Sequence, residues 1–131
     1  MKKATFIILV LSVTAILFSF TNPVEDCGIL KNNNFTYKTG GKEVFVVFKE
    51  NKHTEYHNKR KYFIKSNIEW VSNCEYYLII QEATIPNFPF DPGTKMHIKV
   101  DKVRGKKVYY TSTLGGRSWE GKMTKSKKEN T

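Results

Sequence analysis

His53, Glu55 and His57 sit at alternate positions in a 131-residue chain, and their side-chain types are the ones from which zinc sites are built. On a strand, residues two apart share a face, with neighbouring side chains about 7 Å apart. Two imidazoles and a carboxylate form a recognised zinc ligand set that keeps a fourth position open for water, the arrangement of a zinc-dependent hydrolase. Four cations, Lys52, Lys59, Arg60 and Lys61, surround this run and oppose a metal ion. The competing expectation is a solvated strand face leading into a polar turn. His97 lies on the outward face of its own strand and joins the group only if the sheet brings it near. No nucleophile elbow, phosphate loop or HExxH element is present, so a non-enzymatic protein without a cofactor is expected.

The longest connection, Ile85 to Gly93, combines Pro86, Pro89 and Pro92 with Phe88 and Phe90. Proline fixes φ and stiffens such a loop. At the end of a barrel it either plugs the opening with its phenylalanines or serves as a lid or contact surface. Trp70, Tyr76, Phe88 and Phe90 are therefore candidate contacts for a small apolar ligand or a cell-envelope partner, with Trp70 weighted toward the core.

The elements that must hold these residues are strands. After Asp26 no window sustains a 3.6-residue apolar period, whereas period-two alternation recurs about every ten residues. Tyr62, Ile64, Ser66, Ile68 and Trp70 form one face of the clearest segment and are expected inside. Tyr76, Leu78 and Ile80 form the inner face of the next, and Met96, Ile98 and Val100 that of a third. Tight turns are expected at Gly40-Gly41, Ser72-Asn73, Arg104-Gly105 and Gly115-Gly116. Seven or eight short strands joined this way predict an all-β antiparallel meander forming a small up-and-down barrel or strongly curved sheet, with a two-sheet sandwich as the structural alternative. One β domain over 22–125 is expected, with a basic tail fraying from Ser126.

The first 21 residues read as a secretory signal: Met1 to Lys3 is basic, and Ala4 to Phe20 is uncharged. The exported chain then keeps a charge of +8 over 110 residues, against +10 for the whole. Val24-Glu25-Asp26 lacks the small residues that acylation of Cys27 requires. Cys27 and Cys74, an even pair in an oxidising periplasmic or extracellular setting, are expected to form a disulfide. The basic residues are dispersed over turns and the tail, as on a solvated surface. Interleaved with Tyr109, Tyr110 and Trp119 they offer a polyanion-binding alternative, although export argues against nucleic acid. A purely structural envelope protein is a further alternative. A monomer is expected.

The stretch Asn51-Lys52-His53-Thr54-Glu55-Tyr56, followed by Ile68-Glu69-Trp70-Val71-Ser72-Asn73-Cys74-Glu75-Tyr76-Tyr77-Leu78, resembles small secreted β-sheet proteins of Bacteroidetes-type bacteria. Those share an I-x-W…N-C-E-Y-x-L core and have no known function. The likeness runs from Cys27 to about Lys125. It implies a lipocalin-like or related curved sheet, periplasmic or exported. Short members of such groups sometimes carry the name DNA topoisomerase IV, whose ATPase, cleavage and gate machinery has no counterpart in these residues.

Overall fold

The recurrent alternation resolves into eight strands in the computed structural model, which describes residues 26–127. They are β1 (Asn34–Thr39), β2 (Lys42–Lys49), β3 (Lys52–His57), β4 (Tyr62–Ser72), β5 (Glu75–Ala83), β6 (Lys95–Arg104), β7 (Lys107–Leu114) and β8 (Arg117–Ser126). Each pairs antiparallel with the next, and β8 returns to β1 through Asn34–Ser126, Phe35–Lys125 and Thr36–Thr124. Closure satisfies both sheet edges, and the fold is a small up-and-down barrel rather than a sandwich. Residues 1–21, expected to be a secretory signal, lie outside the described residues. Ser126, expected to fray, is instead the last residue of β8, paired with Asn34.

The two ends of the barrel are built differently. At one end a short 3₁₀ helix, Cys27–Leu30, packs beneath the strands, with Leu30 fully buried. Four residues are too few to carry a hydrophobic period, so the sequence pattern does not announce this helix. A disulfide from Cys27 to Cys74 ties it to the chain just before β5, with the Cα atoms 5.2 Å apart. Above it Phe35 and Phe48 meet edge to face at 5.6 Å, and Phe48 meets Tyr76 at 6.1 Å. Aromatic pairs of this geometry add about 0.5–1.5 kcal/mol each beyond the area they bury. This end is a packed floor.

Register shifts re-aim side chains around that floor. Between Val100 and Lys102 the β6–β7 pairing slips, so Val103, not Lys102, stands opposite buried Val108 and packs on the core. A second slip falls between Trp70 and Ser72, and Val71 between them is exposed. At the other end the connections are the Gly40-Gly41 turn, the Asn58–Lys61 turn, the 84–94 loop and the Gly115-Gly116 turn. Gly40 and Gly41 both have positive φ, as a two-residue hairpin requires. Asn58, Lys59 and Arg60 also have positive φ, an unusual run of three non-glycine residues in the left-handed region.

Candidate functional site

An eight-stranded barrel is just wide enough either to be filled by its own side chains or to hold one small ligand. Here the inner positions above the floor carry small residues. Ser66 on β4, Ser112 on β7 and Gly121 on β8 all line the interior, and they leave a cavity of about 920 Å³ that opens at the end bearing the long loop. That volume lies within the range of known small-molecule sites, roughly 300–1,000 Å³. Tyr110 projects across Gly121, its register partner, where any Cβ would run into the phenol ring. Glycine at 121 is thus what lets the Tyr110 ring lie back against the wall.

Much of the mouth is apolar, with Thr39, Glu43 and Glu120 also at its edge. Ile85, Phe88 and Phe90 of the 84–94 loop border the cavity together with Leu114 and Trp119. Phe88 and Phe90 stack edge to face at 5.5 Å, which makes them one aromatic unit. They border an open chamber, so the loop forms a rim and does not fill the barrel. Phe90 is 39% exposed and Trp119 46%, an unusual placement for large apolar groups in a chain with a packed floor. Below them Ile64, Ile80, Met96 and Ile98 continue the apolar wall.

The polar part of the chamber is the alternate set on β3. His53, Glu55 and His57 all line the interior, so the expectation of a solvated outer face is reversed. Register explains the reversal: Glu55 stands opposite Val46, and His53 opposite Phe48, both core residues of β2. Tyr56 points the other way, its ring 6.4 Å from that of Phe45 and covered by the Arg60 guanidinium. Glu55 Oε2 accepts hydrogen bonds from the Tyr37 hydroxyl at 3.1 Å and from His57 Nε2 at 3.0 Å. An ionised carboxylate only accepts, so Nε2 is the protonated nitrogen of His57.

Burial by itself pushes the Glu55 carboxyl upward. The His57 hydrogen bond, the adjacent His53 and His57 rings and the Tyr37 hydroxyl together outweigh it and hold the group below its ordinary range. His53, 5% exposed, is pushed down by burial, with Glu55 opposing only in part, and its Nδ1 has no hydrogen-bond partner among the described residues. Burial, reinforced by the charge of Glu55, pushes the phenols of Tyr37 and Tyr76 far up and that of Tyr110 up to about 12. Glu55 is therefore held anionic inside the chamber, while burial disfavours charge on His53 and on the three phenols.

This arrangement differs from a zinc centre. His57 and Glu55 bond to each other, and His53 lies deeper, its ring edge-on to Phe48 at 4.8 Å. Among the described residues no three His, Cys, Asp or Glu side chains are grouped so as to hold a metal ion. His97 is on the outer surface, where its Nε2 meets Glu75 at 2.9 Å. Of the four aromatic contact candidates, Tyr76, Phe88 and Phe90 line the cavity. Trp70 does not: it packs on Tyr76 at 5.0 Å, with Lys31 above it at 5.6 Å. Tyr37, Tyr110, Ser66 and Ser112 also line the site; period two puts Ser66 inside without saying that its smallness leaves space.

The basic surface is organised one ring at a time. Arg60 lies over Phe45, Lys65 over Phe63, Lys95 over Tyr77 and Lys102 over Tyr109, each within 5 Å of the ring centroid. Cations so placed shield outward aromatic faces. Of the three aromatics considered for a polyanion platform, only Tyr109 belongs to this outer set; Tyr110 and Trp119 line the cavity. No protein-family model, curated protein or solved structure matches the chain.

Proposed function

We propose that this protein is an exported, non-catalytic binding protein that takes up a small, mostly apolar molecule through the open end of a lipocalin-like barrel. The observation that carries the reading is the chamber of about 920 Å³, kept open by Ser66, Ser112 and Gly121 above a packed floor. The aromatic rim of Phe88, Phe90 and Trp119 gives an apolar body a place to land, and burial of its surface drives entry at roughly 25 cal/mol per Å². The disulfide supports export, since such bonds persist in oxidising compartments.

The test is titration with N-phenyl-1-naphthylamine, a neutral dye that brightens in apolar surroundings, on the native protein and on Ser112→Trp. The native chain should bind one equivalent saturably, and Ser112→Trp, which fills the chamber, should lose that binding while keeping its β-sheet circular dichroism. Absence of saturable binding to the native chain, or equal binding by folded Ser112→Trp, refutes the reading. Native mass spectrometry of protein purified from the exported fraction should show an adduct that disappears on denaturation.

A further inference from the structure

The proposed ligand site has a feature that an apolar cavity does not need. Among the described residues both hydrogen bonds to Glu55 land on Oε2 and Oε1 takes none, and the side chain keeps 21% of its surface open where it lines the chamber. An acceptor-only group facing a cavity is a site for a donor, and an ionised one strengthens the bond when the donor is a cation. The Tyr37 hydroxyl touches Glu55, and Tyr76 and Tyr110 border the same chamber, so electron-rich rings share it with the carboxylate. Lys38, Glu43, Glu120 and Lys122 at the cavity edge are exposed and alternate with inward Tyr37, Val44, Gly121 and Met123, so Glu55 is the carboxylate within and no lysine competes there.

Resting on the binding reading above, we infer that the ligand is an amphipathic organic amine, its ammonium group seated on Glu55 Oε1 and its apolar body against Ile64, Ile80, Met96 and Phe88. An anion such as a fatty-acid carboxylate would face the Glu55 charge in a poorly solvated chamber. A neutral alcohol would satisfy Oε1 with a weaker bond. The predicted order is therefore amine, alcohol, carboxylate, and it is opposite to what a basic exterior alone would select.

The experiment is displacement of bound N-phenyl-1-naphthylamine by decylamine, decanol and decanoate at about pH 8, where an alkylamine is still charged. On the native protein decylamine should bind at least about tenfold more tightly than decanol, and decanoate most weakly. Glu55→Gln, which keeps an oxygen for Tyr37 to donate to, should bring decylamine to the level of decanol and leave decanol within about threefold. Equal amine and alcohol affinities on the native chain, or preference for decanoate, overturn the inference while leaving a ligand-binding barrel. The same holds if the dye binds and none of the three displaces it. Failure of the dye itself to bind sinks the binding reading instead. The native ligand series decides the matter even if Glu55→Gln does not fold.

Discussion

Removing the disulfide should weaken the fold strongly and the cavity hardly at all. Cys27 and Cys74 are separated by 47 positions. In the chain-entropy description, that loop length corresponds to about 13–14 cal/mol/K of lost unfolded-state entropy, or about 4 kcal/mol at 25 °C. For a domain of roughly 100 residues the melting point should fall by about 15–30 °C in Cys27→Ala/Cys74→Ala. The denaturant slope m should rise, because the unlinked unfolded chain exposes more surface. The crosslink holds the Cys27–Leu30 helix under the floor, whereas the cavity is bordered by none of those four residues and opens at the other end. Dye affinity measured well below the new melting point should therefore stay within about threefold of native, a difference of roughly 0.65 kcal/mol. The assay is thermal and urea unfolding by circular dichroism, with dye titration of the same samples. A melting point lowered by less than about 5 °C, or an unchanged m, would refute the unfolded-state account of the crosslink. A large loss of affinity in the folded variant would show that the floor helps to shape the site.

Acid should destabilise the barrel in two steps. Burial keeps His53 from protonating, so below about pH 6.5 the unfolded chain gains a proton that the folded chain refuses, and stability begins to fall there. Glu55 is held low, so its contribution is complete above about pH 4.5 and is lost as pH falls toward the folded value. Urea midpoints should be level above about pH 7.5 and decline below about 6.5; a midpoint unchanged between pH 7 and 5 counts against the buried neutral His53. At the alkaline end the raised phenols of Tyr37, Tyr76 and Tyr110 stabilise the fold below their unfolded range, and this is lost as pH climbs past about 10. Their tyrosinate absorbance should appear together with loss of β-sheet signal, and ionisation of all seven tyrosines in a still-folded barrel would contradict their burial. Gly121→Ala should push the Tyr110 ring off the wall into the chamber, costing about 1–3 kcal/mol and weakening dye binding. The cost should vanish in a Tyr110→Ala background, and a cycle without coupling would mean that the ring is not what meets residue 121.

Strand positions were legible in the sequence because period-two alternation is a local property. Ser66, Ile68, Tyr76, Leu78, Ile98 and Val100 are all buried on the face that the pattern assigns to the core. β3 was not legible in the same way. Its two faces, His53-Glu55-His57 and Thr54-Tyr56, differ in apolar character in the direction that argues for Tyr56 inside. The choice is made by register with β2, where Val46 and Phe48 already face inward, and register is a non-local fact. The cavity was hidden for a related reason: its volume arises from Ser66, Ser112 and Gly121, which lie on three different strands and meet only when the barrel closes. The long loop was correctly marked by its prolines and phenylalanines. Whether those rings plug the barrel or rim it depends on space that only the assembled wall defines.

The inner surface departs from what stability alone would choose. A filled core would place large apolar groups at 66, 112 and 121 and keep ionisable ones out, since a buried carboxylate and an unpartnered imidazole nitrogen both carry a desolvation penalty. This chain has the opposite at those positions, with Glu55 held anionic and His53 Nδ1 without a partner among the described residues. The compensation is concentrated at the floor, where Phe35, Phe48, Tyr76 and Leu30 pack and a disulfide closes the base. Departures from good packing that cluster in one cavity, beside a region where packing is dense, are what the proposed binding role would require of the residue types there. The residues to vary when testing that reading are those of the upper chamber, Glu55, Ser66, Tyr110 and Ser112, whereas substitutions of Leu30 and Phe35, floor residues that do not border the cavity, should change stability without changing dye binding.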